Sequence, residues 1–228
     1  MKSISIIIPI YNEIEKLPQL INRLNDYKYD NQLILVNDGS RDGTREFLNA
    51  QSNLVIIHHD KNLGKGSAVR TALKKVNHQT VMLIDGDLEI NIKNLNSLIK
   101  TIDKNQIIVG YRVPNTINNF SLIEFGNSTL NLIFNLLYST NYKDVLCCLK
   151  IIPTKVLKEL DLDSKGFELE TEIMAKICMK NLNVIEKDIP YKRRTNKDGK
   201  KLRITDSYVI LKKMIGLRLR LFLKQSFS

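Results

Sequence analysis

The chain has no tryptophan, and its 228 residues include only three cysteines, three histidines and five prolines. Cys147, Cys148 and Cys178 cannot staple a chain of this length, and no C-x-x-C pair exists. A disulfide framework and a structural zinc site are therefore not expected. Ten glycines and five prolines are too few for a collagen-like chain, and 43% apolar content argues against wholesale disorder. No uncharged apolar stretch reaches the length that spans a bilayer. The apolar run at the N-terminus is too short for a secretory leader and is broken by Pro9. A reducing, intracellular compartment is the expectation. What is present suffices for one sizeable α/β domain.

The net charge of +11 is unevenly placed. From Lys192 to Ser228 there are 12 Lys or Arg against 2 Asp or Glu, whereas residues 1–191 hold 23 against 22. A nearly neutral body carries a basic tail, which seeks phosphate ligands, anionic lipid heads or nucleic acid.

Along the first half, strand and helix patterns alternate: strands over Ser3–Pro9, Leu33–Val36, Leu54–Ile57, Thr80–Ile84 and Gln106–Gly110, and helices over Lys16–Asn25, Asp42–Ala50, Gly64–Val76 and Asn91–Asp103. This predicts a mostly parallel sheet with helices on both faces. Further on, helices are expected over Ser121–Tyr138, Glu168–Asn181 and Thr205–Lys224, with strands over Val145–Ile152 and Asn183–Glu186. There is no internal repeat or clear linker. The division expected is a body, residues 1–203, followed by a basic amphipathic helix over 204–228.

The polar clusters follow strands, where open α/β sheets bind ligands. Asp85-Gly86-Asp87 ends an apolar strand. Two carboxylates one residue apart can hold Mg²⁺ or Mn²⁺, with Glu89 as a third ligand, and the ion would neutralise a diphosphate leaving group. A solvated acidic turn is the plain alternative. Pro9 and Tyr11 could contact a flat base, Glu13 could accept from ribose or base, and Asp38 could do the same. Asp42 or Ser40 could instead cap the following helix, with Gly39 and Gly43 serving its turns. Asn62-Leu63-Gly64-Lys65-Gly66 resembles a phosphate-cradling loop, in which Lys65 and Arg70 would offset diphosphate charge, although the Walker A spacing is absent.

Taken in order, the segments IIIPIYNE (6–13), VNDGSRDGT (36–44), NLGKGSAVRTAL (62–73), LIDGDLE (83–89), VGYR (109–112), FGNSTLN (125–131), DVLCCLK (144–150), FELETEIMAK (167–176) and IPYKRRTNKDGKKLRITD (189–206) resemble the family 2 glycosyltransferases. The later blocks resemble the dolichyl-phosphate mannosyltransferase and polyprenyl-phosphate glycosyltransferase branch. The resemblance implies a single-domain α/β A-type glycosyltransferase fold with a nucleotide-binding sheet. It assigns Pro9, Tyr11, Glu13 and Asp38 to the nucleoside, and Asp85 and Asp87, with Glu89 nearby, to metal and diphosphate. Arg112, Arg194, Lys200 and Lys201 would serve the acceptor phosphate or donor diphosphate, and Glu170 and Glu172 would border the acceptor. Asn37, Ile10 and Lys187-Asp188 depart from the family pattern.

The implied reaction is inverting, metal-dependent transfer of a hexose from GDP-mannose or UDP-glucose to a polyprenyl or dolichyl monophosphate. An acceptor phosphate is already an anion and needs no strong base. A sugar hydroxyl acceptor would need one, and Glu170 or Glu172 would then serve. A non-catalytic nucleotide-sugar-binding homologue and a nucleotidyltransferase remain as alternatives. A nucleic-acid-binding protein is disfavoured by the lack of an aromatic platform in the tail. In the final helix, Ile204, Tyr208, Leu211, Ile215, Leu219 and Phe222 share one face, and Lys213, Arg220 and Lys224 lie roughly opposite. This suits either an anionic membrane surface or packing on the body. The expectation is a peripheral protein on the cytoplasmic face of a membrane, alone or with a separate membrane partner.

Overall fold

The structure, a computed structural model, describes residues 3–25, 27, 31–90, 98–99, 105–114, 122–191 and 204–226. Among these, seven strands form one sheet: β1 (Ser5–Ile10), β2 (Gln32–Asn37), β3 (Val55–His58), β4 (Thr80–Leu83), β5 (Ile107–Pro114), β6 (Lys150–Pro153) and β7 (Val184–Tyr191). Their order is β3-β2-β1-β4-β6-β5-β7, with β6 antiparallel to both neighbours and the other pairings parallel.

The central strands β1, β2 and β4 are buried on both faces, as parallel strands flanked by helices must be, whereas the edge strands β3 and β7 are half-buried to exposed. In β1, Ile6, Ile8 and Ile10 enter one core cluster and Ile7 the other; in β2, Leu33 and Leu35 oppose Ile34 and Val36 in the same way. The period of two thus fills two cores from one run. Helix α1 (Leu17–Leu24) buries Leu17, Leu20 and Leu24 on the first core and has Pro18 in its first turn, where a missing N–H costs nothing. Helices α2 (Thr44–Asn49) and α3 (Lys65–Leu73) complete the first half.

Helix α4 (Leu122–Tyr138) and the short α5 (Thr154–Glu159) precede α6 (Leu169–Met179), which is buried nearly all round, Glu170 and Glu172 included. Helix α7 (Ile204–Ser226) packs on α6 and α4 through Ile210, Met214 and Leu217, and the Tyr138 hydroxyl donates to the Met214 carbonyl at 2.9 Å. No described helix is long and apolar enough to cross a membrane.

Several expectations need revision, among them the strand expected over Gln106–Gly110, which runs on to Pro114. The strand expected over Val145–Ile152 begins only at Lys150, because Asp144 caps a turn by accepting from the Leu146 amide at 3.2 Å. The strand expected over Asn183–Glu186 runs on to Tyr191, where its ladder with β5 admits Pro190 at the sheet edge. Helix α5 was not foreseen; six residues with Leu157 alone buried give no usable period. On α7, the apolar face expected to be one stripe is the outward one: Tyr208, Ile215, Leu219 and Phe222 are exposed while a second stripe is buried. Lys213 is not on an outward cationic face but pairs with Asp163 and Glu172. The helix expected over Asn91–Asp103 lies almost wholly outside the described residues.

Candidate functional site

Strands β1, β2 and β4 end at one rim, and a cleft of about 780 Å³ opens there. The loops after β1 and β2 are stitched together. Asn12, in a left-handed conformation that asparagine tolerates, donates its amide to Ser40 Oγ at 2.8 Å and accepts from the Arg41 amide at 2.9 Å. Asp42 accepts from the Ile14 amide at 3.0 Å and the Thr44 amide at 3.1 Å. Partial burial alone would raise the Asp42 carboxyl, but bonds from Thr44 and Ile14 hold it below its usual range. Pro9, Tyr11 and Glu13 line the cleft from this stitched edge.

Asp38 also lines the cleft, yet it is buried and its carboxylate is occupied. Oδ1 accepts from the Leu63 amide at 2.9 Å and faces His59 Nδ1 at 2.7 Å, and Oδ2 accepts from the Gly64 amide at 2.8 Å. Its structural task is to hold the loop entering α3. Asn37 is wholly buried; its Oδ1 accepts from the Ser40 amide and its Nδ2 lies 3.1 Å from His58 Nδ1.

Of the loop expected to cradle phosphate, Asn62, Gly64 and Lys65 line the cleft, while the Cβ side of Gly64 and Gly66 meets protein backbone. A Cβ on Gly64 would stand 2.3 Å from the Lys165 carbonyl oxygen, and one on Gly66 2.3 Å from that of Ser164. The Ser67 amide donates to Lys165 O at 3.2 Å. These glycines admit the 164–166 backbone. Arg70 does not line the cleft: it reaches Leu162 O and Ser67 Oγ at 3.4 Å each.

Lys65 does enter the cleft. Its Nζ lies 2.6 Å from Asp85 Oδ1 and 2.7 Å from Glu170 Oε1. Burial works against this ammonium, but Asp85 and then Glu170 carry its pKa well above the ordinary lysine value. On the far side, Glu170 Oε2 meets Lys150 Nζ at 2.5 Å, and Lys150, 0% exposed, also donates to Cys147 O. Glu170 Oε1 receives no well-directed hydrogen bond; the ammonium of Lys65 is its close neighbour.

In the DGD turn, Leu88 takes φ +64°, a strained conformation for a bulky residue, and the Glu89 amide folds back onto Asp87 Oδ1 at 3.0 Å. The Tyr191 hydroxyl donates to Glu89 Oε2 at 2.8 Å, and Glu89 lines the cleft with Asp85 and Asp87. Burial, then Glu89, pushes the Tyr191 phenol up. Asp85 and Asp87 line the cleft, but no group of three His, Cys, Asp or Glu side chains stands close enough to hold a metal among the described residues. The expected three-carboxylate set is therefore not assembled in this conformation.

Arg112 lines the cleft as well. Asp144 clamps it, with Nε to Oδ2 at 2.6 Å and one terminal nitrogen to Oδ1 at 2.9 Å, and the guanidinium stands 5.5 Å from the centre of the Tyr191 ring. Burial opposes the charge, and Asp144 more than restores it. Glu172, expected beside the acceptor, is instead buried away from the cleft. It accepts from the Asp163 and Ser164 amides and pairs with Lys176 at 2.7 Å. Arg194, Lys200 and Lys201 lie outside the described residues. Sequence reasoning missed Asp144, Lys150 and Tyr191, and missed that Asp206, Val209 and Ile210 of α7 form part of the cleft wall. A lone lysine in the apolar run CCLKII was the one available signal for Lys150.

A model of the family described as Glycosyl transferase family 2 matches residues 5–160. An undecaprenyl-phosphate 4-deoxy-4-formamido-L-arabinose transferase of Photorhabdus laumondii is 32% identical over 124 residues, covering 50% of this chain and 38% of that protein. A dolichyl-phosphate beta-glucosyltransferase of Trichomonas vaginalis is 27% identical over 132 residues, covering 49% and 41%. The chain thus spans about two fifths of the length of either relative. Among solved structures, glucosyl-3-phosphoglycerate synthase from Mycobacterium tuberculosis with bound UDP gives a TM-score of 0.70 at 17% identity, covering 95% of this chain and 80% of that one. The same enzyme with Mn²⁺, UDP-glucose and phosphoglyceric acid gives 0.67, with the same identity and coverage. At that identity the likeness is one of fold.

Proposed function

We propose, from the premise that this chain belongs to glycosyl transferase family 2 and has its A-type fold, that it moves a hexosyl unit from a nucleotide sugar to a polyprenyl or dolichyl monophosphate with inversion at C1. The observation that carries the reading is a single cleft that holds both the strand-end carboxylates Asp85 and Asp87 and the clamped cation Arg112. The two relatives, both named as transferases acting on polyprenyl-type phosphates, support the acceptor class.

In this reading Pro9, Tyr11 and Glu13 receive the nucleoside, and Asp38 acts by fixing the 62–64 loop beside it. Asp85 and Asp87 suit Mg²⁺ or Mn²⁺, because both are hard oxygen donors and Asp85 already draws a cation, the Lys65 ammonium. Such an ion, when bound, supplies charge neutralisation for the departing diphosphate. Arg112 turns Nε and one terminal nitrogen to Asp144, which leaves its other terminal nitrogen to steer the acceptor phosphate. That phosphate attacks as the anion it already is, so the chain's task is positioning and stabilisation of the leaving group. Both oxygens of Glu170 face ammonium groups, a poor arrangement for taking a proton from a hydroxyl acceptor.

The acceptor class also gives a use to exposed apolar side chains. Helix α4 turns Phe125, Leu132 and Leu136 outward, α7 turns Tyr208, Leu219 and Phe222 outward, and the two helices touch. We read this surface as resting on the cytoplasmic face of a membrane, with Val209 leading from it into the cleft.

The test is a donor panel. UDP-glucose and GDP-mannose are each incubated with the protein, polyprenyl phosphate in detergent, and Mg²⁺ or Mn²⁺, and both nucleoside diphosphate and glycolipid are measured. Matched release of the two products with one donor is expected, lost on Asp87→Asn. Nucleoside diphosphate release that ignores polyprenyl phosphate overturns the acceptor assignment.

A further inference from the structure

Four charges alternate from the sheet interior to the cleft rim: Lys150, Glu170, Lys65 and Asp85, with successive N···O distances of 2.5, 2.7 and 2.6 Å. The row is unequal along its length. Lys150 is 0% exposed, donates to Cys147 O as well, and sits on a strand paired with β4, so it is fixed. Lys65 is at the first turn of α3, on a flexible four-carbon stem, and the Asp85 it grips is the most exposed member, at 30%. Glu170 Oε1 holds Lys65 without a directed hydrogen bond. Lys65 is therefore the member that can swing.

The position it occupies matters. A Mg²⁺ or Mn²⁺ ion coordinates a carboxylate oxygen at about 2.0–2.2 Å. An ammonium at 2.6 Å from Oδ1 stands where such an ion would approach that oxygen, and an ion on either oxygen of Asp85 would stand within a few ångströms of a like charge. If the ion takes Asp85, Lys65 needs a new anion within reach of its stem, and Glu170 alone is already shared with Lys150. The diphosphate of an incoming donor meets that need.

We propose that Lys65 is a resident counter-ion of Asp85 that is handed over to the donor's diphosphate when a divalent cation binds, with the Glu170–Lys150 pair as its fixed pivot. This rests on the reading of the cleft as a nucleoside-diphosphate-sugar site. Cation and nucleotide then bind cooperatively for an electrostatic reason. The cation alone must displace an ammonium that has nowhere to go, and the diphosphate gives it a place. Coupling between sites is commonly 5- to 150-fold, and removing one displaced charge should be worth about tenfold.

The experiment measures Mn²⁺ binding to the full chain, by electron paramagnetic resonance of free Mn²⁺, with and without UDP or GDP. Wild type, Lys65→Met and Lys65→Arg are compared, and circular dichroism confirms the fold of each. For wild type, weak Mn²⁺ binding that tightens about tenfold with the matching nucleotide is expected. Lys65→Met should bind Mn²⁺ alone about tenfold more tightly than wild type and gain less than about threefold from nucleotide. Lys65→Arg keeps the charge and should keep the weak binding of Mn²⁺ alone, which preserves the test if the methionine variant does not fold. Equal or weaker binding of Mn²⁺ alone by Lys65→Met, or methionine-like affinity in Lys65→Arg, overturns the handover while leaving the cleft reading intact. Wild type that binds neither Mn²⁺ nor either nucleotide overturns the cleft reading itself, and the handover with it.

Discussion

Replacing Lys150 by methionine keeps most of the side chain's volume and removes one buried charge. Lys150 is 0% exposed and Glu170 only 4%, so the carboxylate left behind cannot turn to water. Removing one partner of a buried, hydrogen-bonded ion pair costs about 3–5 kcal/mol. Glu170 retains Lys65 at 2.7 Å, which places the expected loss at the lower end, about 3 kcal/mol. For a chain of this length each kcal/mol moves Tm by roughly 2–4 °C, so Lys150→Met should melt about 6–12 °C below wild type. Replacing both partners, Lys150→Met with Glu170→Met, removes the orphaned charge and should recover at least about 2 kcal/mol relative to the sum of the single changes. Urea unfolding followed by circular dichroism on the four proteins gives the coupling directly. A Lys150→Met midpoint within about 1 kcal/mol of wild type, or strict additivity in the double variant, would refute the buried pair as an energetic unit.

Three further outcomes are expected. Asp144→Asn removes the ionic clamp on Arg112 and should lower transfer at least about tenfold, mainly through the KM for the lipid phosphate; unchanged KM and turnover would separate Arg112 from the acceptor. Gly66→Ala drives a methyl to 2.3 Å from the Ser164 carbonyl and should cost about 1–3 kcal/mol in urea unfolding; an unshifted midpoint would mean that the 164–166 backbone yields freely. The hydrogen bond shared with Glu172, with the ammonium of Lys213 next, holds the Asp163 carboxyl below its usual range. A depressed folded pKa gives stability that is complete above the unfolded value of about 3.9 and is lost as pH falls below it. Melting below about pH 4 should therefore fall less steeply for Asp163→Asn than for wild type, and parallel curves would remove this group from the acid response.

Much of the fold was legible because the first half obeys simple periods. SIIIPI and QLILVN can satisfy two cores only as buried strands, and Leu17, Leu20 and Leu24 mark one helical face. The DGD turn was legible for the same reason: polar residues after an apolar strand must emerge at its end. The losses have physical causes as well. Helix α7 is apolar on two nearly opposite sides, and periodicity cannot say which side finds a neighbour; the inward one is Ile210, Met214 and Leu217. Glu170 and Glu172 are two residues apart on a helix, hence on different faces, so one lines the cleft while the other anchors the 163–164 loop. That Gly64 and Gly66 also admit the 164–166 backbone was not legible, because those residues are about a hundred positions away. Lys150 and Asp144 were hidden in the same manner, since a charge reveals its partner only once the chain has folded around it.

The close apposition of α3 and the 164–166 backbone has a mechanical consequence. With carbonyl oxygens packed where Gly64 and Gly66 would bear side chains, and Ser67 bonded to Lys165, there is no soft side chain between the two segments to absorb a displacement. A tilt of α3 must be passed on to the loop, and the preceding residue, Asp163, grips Lys213 on α7. The segment that bears Lys65 and the helix that bears the outward apolar stripe are thus linked by a short, stiff train of backbone and one ion pair. Occupancy of the cleft should be felt at the outer surface as a change in hydrogen-exchange protection along α7, and Lys213→Met should reduce the share of that change that passes through the 163–166 loop.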